Sequence, residues 1–167
     1  EQLYIWSAHT GRINALAFSP DGTQLVSASD DYKIKIWNVT KLTEPVETTS
    51  RLLFVLDLPT EVKSITFSSN GSSLAAGLQN GTVKIWDMPA RTVSSTLTGH
   101  MGSVVSLAFS PDGERLVTAS QDGRTRGWHI PTEKELFNLN GHTATVMVVA
   151  YSPDGKRIAT ASQDGST

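Results

Sequence analysis

The 167-residue sequence contains no cysteine. A disulfide framework and a zinc site with thiolate ligands are therefore both excluded for this chain. The absence of cysteine is compatible with a reducing compartment, and we expect an intracellular, cytoplasmic protein.

Long apolar runs and a surplus of positive charge are also missing. No stretch of 18 consecutive apolar residues occurs, so the sequence predicts no membrane-spanning helix and no membrane partner. Lysine and arginine total 14 against 16 aspartates and glutamates, which gives a net charge of −2, and the basic residues are scattered. Binding to a phosphate backbone needs clustered positive charge, so we expect no nucleic acid partner.

The chain repeats one motif at a spacing near 42 residues. SPDGERLVTASQDG at 110–123 is nearly duplicated by SPDGKRIATASQDG 42 residues later. Trp86 and Trp128 are separated by the same 42 residues, whereas Trp37 and Trp86 are 49 apart. The seven extra residues fall in Thr40–Ser50, which we expect to be an exposed connecting loop. A fixed period in this range indicates a repeat architecture.

Each copy of the motif has the pattern of short β-strands. In the third copy, apolar and β-branched residues alternate over three runs, which are 104–109, 115–120 and 124–128. Ser110-Pro111-Asp112-Gly113 and Asp122-Gly123 join these runs as tight turns. A fourth run, such as 92–97, precedes the copy. The pattern predicts a four-stranded antiparallel meander with no helix.

These landmarks resemble those of the WD-repeat family. They are Gly-His, Ser-Pro-Asp-Gly, Ser/Thr-Ala-Ser-x-Asp-Gly and a closing tryptophan, as in Trp86-Asp87, and they cover essentially the whole chain. The resemblance implies an all-β β-propeller of four-stranded antiparallel blades, each taking its outer strand from the start of the next repeat. We expect one WD-repeat segment over 1–167, with repeats near 9–57, 58–98, 100–140 and 142–167. This partial propeller holds three full blades plus parts of two, and we expect it to belong to a longer one.

A polar set that includes histidine, serine or threonine, and aspartate could be mistaken for a catalytic triad. A catalytic apparatus is needed once per protein, whereas this set recurs with the repeat, so we predict no catalytic residue. The resemblance implies a buried hydrogen-bond chain in each blade, here called the clamp, from aspartate through histidine and Ser/Thr to tryptophan. Its residues are His9, Ser27, Asp31 and Trp37, then His100, Thr118, Asp122 and Trp128, then His142, Thr160 and Asp164.

The second copy and one position of the third copy depart from the pattern. In the second copy, the clamp positions for His, Ser/Thr and Asp are occupied by Leu58, Ala76 and Asn80, so we expect apolar packing there. Gly127 replaces the isoleucine found in the sibling strands and is expected to admit a neighbour closely.

One apolar residue at the start of each innermost strand is expected to point into the blade core. These residues are Ile13, Val62, Val104 and Val146. The aromatic residue at the end of the same strand is also expected to be core. These residues are Phe18, Phe67, Phe109 and Tyr151.

The residues that flank these apolar positions vary from copy to copy, and so does the residue before each turn aspartate. Variation at otherwise repeated positions is expected of a surface that serves one asymmetric partner. We therefore predict a protein or peptide partner on this top face of the propeller. The predicted contact residues are Arg12, Asn14, Asp30, Glu61, Lys63, Gln79, Ser103, Val105, Gln121, Thr145, Met147 and Gln163.

The leading hypothesis for function is a non-enzymatic scaffold for protein–protein interaction, because no unique polar cluster remains to carry chemistry. For the same reason we expect no metal and no cofactor. One alternative is a sensory or targeting module of a larger multidomain enzyme, and another is a propeller enzyme whose catalytic residues lie in missing blades. If the chain is only this segment, open blade edges are expected to self-associate, with Leu3–Ser7 of one copy extending the Val146–Ser162 sheet of another.

Overall fold

A computed structural model describes residues 7–40 and 51–167 of the chain. Almost all of the regular structure in these residues is β-strand, with one short 3₁₀ turn at Ile130–Thr132. The strands are β1 (Ile13–Phe18), β2 (Gln24–Ser29), β3 (Lys33–Asn38), β4 (Leu52–Asp57), β5 (Val62–Phe67), β6 (Ser73–Leu78), β7 (Val83–Asp87), β8 (Thr92–Leu97), β9 (Val104–Phe109), β10 (Arg115–Ser120), β11 (Thr125–His129), β12 (Lys134–Leu139), β13 (Val146–Tyr151) and β14 (Ile158–Ser162).

The strands form antiparallel meanders in chain order. Three four-stranded sheets comprise β1–β4, β5–β8 and β9–β12, and a two-stranded sheet comprises β13 and β14. The outer strands β4, β8 and β12 lie just before Leu58, His100 and His142, and each pairs with the third strand of its sheet. The all-β prediction and the four-stranded antiparallel blades are confirmed. The expected outer strand at the N-terminus and most of the expected loop at Thr40–Ser50 lie outside the described residues. The described sheets do not close into a ring.

The hydrophobic core lies between successive blades. The innermost strands β1, β5, β9 and β13 pack against each other in that order. Val62, Val104 and Val146 are fully buried, and each belongs to a cluster that also contains buried residues of the preceding blade. Burial of these apolar side chains against the preceding sheet is the main favourable term in the packing of the blades.

The prediction that Ile13 and Phe18 are core residues was wrong. Ile13 is 42% exposed and Phe18 is 62% exposed, and Leu16 of the same strand is 60% exposed. In the later blades the equivalent face of the innermost strand is covered by the preceding sheet. No described sheet packs on this face of β1, which leaves the three side chains in solvent.

The Ser-Pro-Asp-Gly turns form a second repeated element, at the ends of the sheets away from the clamps. Ser19 Oγ donates to Asp21 Oδ1 at 2.6 Å and accepts from the Gln24 backbone N–H at 2.9 Å. Ser68 makes the same bonds in the second repeat, where Asn70 supplies the acceptor at 2.8 Å. The turn survives in the degenerate repeat because an asparagine side-chain oxygen accepts these bonds as a carboxylate does.

Two glycines allow close approach inside and between blades. Gly127 is paired with Phe137 of β12, whose ring occupies the space that a side chain at residue 127 would need. Gly77 of β6 faces the next blade, and a Cβ atom there would lie 2.6 Å from the Val104 carbonyl oxygen. The same carbonyl accepts a hydrogen bond from Ser64 Oγ at 2.9 Å, which joins the second and third blades. The role of Gly77 was not predicted from the sequence.

We expect Gly77→Ala to lower the free energy of unfolding by about 1–3 kcal/mol, because the new methyl group would force the backbone of the third blade outward. The first and third repeats carry alanine at this position, at Ala28 and Ala119, so the loss would be specific to this blade boundary. Urea unfolding measures the change. Gly141→Ala is the matched control, since no atom lies within 4 Å of its added Cβ. Unchanged or higher stability of Gly77→Ala would contradict this account.

Candidate functional site

The clamp residues of the first blade form a continuous buried hydrogen-bond chain. His9 Nδ1 lies 3.0 Å from both carboxylate oxygens of Asp31, and His9 Nε2 lies 2.7 Å from Ser27 Oγ. Trp37 Nε1 donates to the same hydroxyl at 2.9 Å. A neutral His9 that donates from Nδ1 and accepts at Nε2 satisfies every group in this chain, because Ser27 then donates to histidine and accepts from tryptophan.

The third and fourth blades repeat this geometry. His100 lies 2.9 Å from Asp122 and 2.8 Å from Thr118, whose hydroxyl accepts from Trp128 Nε1 at 3.0 Å. In the fourth blade, the His142–Asp164 and His142–Thr160 distances are 3.0 Å and 2.8 Å. The structure therefore brings the predicted clamp residues together as three separate sets.

Each clamp aspartate also holds the loop that enters its blade. Asp122 accepts from the Met101 backbone N–H at 2.9 Å, and Asp164 accepts from the Thr143 N–H at 2.9 Å. In the first blade Thr10 makes the same bond to Asp31 at 3.1 Å. The carboxylate thus connects the histidine, the loop and the turn between the second and third strands.

The clamps lack the access that nucleophilic catalysis requires. The Ser27 and Thr118 residues are only 1% and 0% exposed, and each hydroxyl is already held between a histidine and a tryptophan. A Ser-His-Asp nucleophile must reach a substrate carbonyl. The geometry is therefore that of a structural hydrogen-bond chain.

The second blade replaces the clamp with apolar contact. Leu58, Ala76 and Trp86 are all buried and belong to the same hydrophobic cluster. Asn80 still accepts from the Thr82 backbone N–H at 3.1 Å, so the turn persists without the histidine.

In the clamp of the third blade, the pKa values of His100 and Asp122 are both lowered, but for different reasons. Burial lowers the pKa of His100, and the favourable contact with Asp122 does not offset it. Burial opposes ionisation of Asp122, but hydrogen bonds from the Met101 N–H and from His100 outweigh it and hold the pKa of the carboxyl below its usual value. The native clamp therefore favours neutral histidine beside ionised aspartate.

Four of the predicted contact residues form a network across the boundary of the first two blades. Asn14 Nδ2 donates to Asp30 Oδ1 at 2.6 Å and to the Val62 carbonyl at 2.8 Å. Lys63 forms ion pairs with Asp30, at 2.6 Å, and with Glu61. The side chains of Lys63, Asp30 and Glu61 remain 21%, 29% and 32% exposed, so they join the blades and still reach solvent.

The other predicted contact residues are mostly accessible, with one exception. The exposed members are Arg12, Gln79, Gln121, Met147 and Gln163, and the half-buried members are Val105 and Thr145. Ser103 was predicted to contact a partner on the top face, but this residue is only 2% exposed and its side chain is not accessible there. Its carbonyl accepts from the Gln121 N–H at 2.9 Å, which holds the turn beside it.

Met101 was missed by reasoning from the sequence. It follows the clamp histidine at the position of Thr10 and Thr143, and it is 94% exposed. The sequence did contain a sign of this exposed residue, since the equivalent loops of the first and fourth repeats carry threonine at the same position. With Met147, which is 43% exposed, Met101 adds apolar area to the third and fourth blades, whose predicted contact residues carry no charge, whereas those of the first two blades include four charged side chains.

Neither a metal cluster nor a membrane-spanning helix occurs in the described part of the chain. Among residues 7–40 and 51–167, no group of three or more His, Asp or Glu side chains is placed to hold a metal ion. No helix in the same residues is long and apolar enough to cross a membrane.

Loss of the clamp histidine is expected to destabilise the fold. His100→Ala leaves Thr118 and Asp122 with unpaired groups, which should cost on the order of 1–3 kcal/mol in the free energy of unfolding. In a double-mutant cycle, His100→Ala and Asp122→Ala should couple by about 0.5 kcal/mol or more. The matched pair Leu58→Ala and Asn80→Ala, in the blade without a clamp, should be additive. Strictly additive effects of His100→Ala and Asp122→Ala would show that these two residues do not act as a hydrogen-bond network.

Stability should fall at acidic pH because of the clamp. His100 has a lowered pKa in the folded chain, so its contribution is fully present above the unfolded value of about 6.5 and is lost as pH falls from there toward the folded pKa. Asp122, with its lowered pKa, adds a further loss as pH falls below about 4. Urea unfolding at a series of pH values between about 8 and 5 measures the first effect. His100→Gln should flatten the profile in this window, and an unchanged profile would refute the assignment.

Comparison with known proteins agrees with the repeated geometry. The family model described as WD domain, G-beta repeat matches residues 1–38, 51–87, 91–129 and 133–167. Over 32 residues the chain is 53% identical to Periodic tryptophan protein 2 of Saccharomyces cerevisiae, a stretch that is 19% of this chain and 4% of that protein. Repeats of this kind generally act as scaffolds for protein interaction. Because the family model matches all four repeats, the chain belongs to the WD domain, G-beta repeat family.

Proposed function

We propose that the chain is a non-enzymatic scaffold that binds a protein or peptide partner on its top face. This face is defined here by the loops that carry the clamp histidines and by the turns that follow β2, β6, β10 and β14. One observation carries the proposal. The residues that vary between repeats lie at this end of the sheets, and eleven of the twelve are exposed or half-buried, whereas the side chains of the clamp histidines and aspartates next to them are at most 14% exposed.

The chemistry of the top face is asymmetric, as binding to a single partner requires. Arg12, Asp30, Glu61 and Lys63 place charges on the first two blades. Met101 and the predicted contact residues of the third and fourth blades are uncharged. Charges favour the orientation and rate of association, and exposed apolar side chains supply area that loses contact with water on binding.

A sensory or targeting module within a larger multidomain enzyme would use the same surface. A propeller enzyme would instead need unique acidic or histidine residues, and in the described residues these types are largely engaged in clamps and ion pairs. The intracellular, cytoplasmic location and the absence of a nucleic acid partner stay predictions.

Self-association through open edges also stays a prediction. β14 has no strand paired on its far side among the described residues, so an edge is present. Most of the proposed donor strand, Leu3–Ser7, lies outside the described residues.

Charge reversal at Arg12 should weaken partner binding without changing the fold. Arg12 is exposed and forms no ion pair with any described residue, so Arg12→Glu breaks no ion pair of the fold. Affinity purification with quantitative mass spectrometry should show about a five-fold loss of a specific partner. Lys63→Glu is a poorer test, because it also breaks the ion pairs between blades.

Lys134→Glu supplies the matched control, since it makes the same charge change on the outer strand β12. Circular dichroism and the urea midpoint should match the wild type for both Arg12→Glu and Lys134→Glu. If Lys134→Glu abolishes capture and Arg12→Glu does not, the binding surface lies on the outer strands.

A further inference from the structure

A cavity of about 280 Å³ lies between the first and second blades, at the end of the sheets opposite to the top face. Its walls come from the first two Ser-x-Asp/Asn-Gly turns, from β4 and from the connection between β7 and β8. A volume just below the usual range for small-molecule sites is suited to one or two amino-acid side chains. We call this cavity the blade 1–2 cleft.

The floor of the cleft is apolar. Phe54, Phe67 and Met88 line it, and all three are half-buried side chains that pack on the main hydrophobic cluster of the first two blades. An apolar group entering the cleft would therefore extend a core that is already formed.

Arg91 provides a positive charge at the wall of the cleft. Its guanidinium lies 4.7 Å from the centroid of the Phe54 ring, and its backbone has a left-handed φ of 57°. No described carboxylate forms an ion pair with it. Stacking on a ring leaves the N–H donors in the guanidinium plane available to a carboxylate. The equivalent turn of the next repeat carries Glu133 at φ 55°, so this turn has the opposite charge at the next blade boundary.

Gln24 supplies an unpaired acceptor. Its Oε1 atom is buried and has no hydrogen-bond partner among the described residues, and Gln24 lines the same cleft. The other polar groups are engaged. Asp21 accepts from Ser19 and Thr23, and these bonds lower its pKa and keep it ionised. Asn70 Oδ1 likewise accepts bonds within its own turn.

We propose that the blade 1–2 cleft binds a short acidic and apolar peptide segment of a partner protein. An apolar side chain packs on Phe54, Phe67 and Met88, the neighbouring acidic side chain pairs with Arg91, and a peptide N–H donates to Gln24 Oε1. The fixed negative charge of Asp21 at the same site limits the segment to one acidic side chain, directed at Arg91, and disfavours a polyanion such as nucleic acid. This second site is independent of the top face, and neither requires the other.

Methionine methyl NMR on the intact protein separates the two sites. The chain has three methionines, of which Met88 lines the cleft, while Met101 and Met147 lie on the top face. The probes are N-acetyl-Phe-Glu-amide and its neutral counterpart N-acetyl-Phe-Gln-amide. We expect a saturable shift of the Met88 methyl signal, with tighter binding of the glutamate peptide, and no change at Met101 or Met147.

Variants at the turn test the charge. Arg91→Gln should weaken binding of the glutamate peptide about five-fold and remove its advantage over the glutamine peptide. Arg91→Lys, which keeps the charge, should retain part of the advantage. Glu133→Gln makes a neutralising change at the equivalent turn and should leave both affinities unchanged.

Three results would overturn the proposal. They are a silent Met88 signal, equal binding of the two peptides to the wild type, and unaltered discrimination in Arg91→Gln. Shifts confined to Met101 and Met147 would also overturn it and would support peptide binding at the top face. If Arg12→Glu fails to weaken partner capture, the proposal for the top face is contradicted but the proposal for the blade 1–2 cleft is not. The two proposals can therefore be tested separately.

Discussion

Each blade of this chain has two apolar faces, and both can be buried only by packing against neighbouring sheets. Val62, Val104 and Val146 show the result, since each is fully enclosed by the blade before it. The first blade shows the same constraint from the other side, because Leu16 and Phe18 are exposed where no described sheet covers them. Packing between blades is therefore what buries the apolar side chains of the innermost strands.

The clamps add local stabilisation to the packing between blades. They orient the entering loop relative to the turn through directional hydrogen bonds, which apolar contacts do not do. The second blade lacks these bonds and still forms the same four strands, because Leu58 and Ala76 occupy the positions with apolar contact. A repeat of this kind thus tolerates loss of the clamp when the site is filled by apolar side chains.

The same arrangement leaves the ends of the sheets free for recognition. At the top face some of the varying residues both join neighbouring blades and remain available to a partner. Lys63, for example, forms an ion pair across a blade boundary and is still partly exposed to solvent. At the opposite end, the boundary between the first two blades carries Arg91 over Phe54, whereas the next boundary carries Glu133. Both ends therefore differ from blade to blade, although the strands between them are uniform.

The sequence by itself determined the strands and the turns, because these depend on residues at a fixed local spacing, and the resemblance of its recurring landmarks to those of WD repeats implied the membership of each clamp. The second copy was also predictable, since Leu58 stands where a histidine was expected. Only the tertiary structure decided which repeated positions are accessible. Ser103 and Thr145 are equivalent in the repeat, yet only Ser103 is enclosed, and Ile13 is exposed where Val62 is buried. Burial depends on what the neighbouring blade places against a residue, and local spacing does not contain that information.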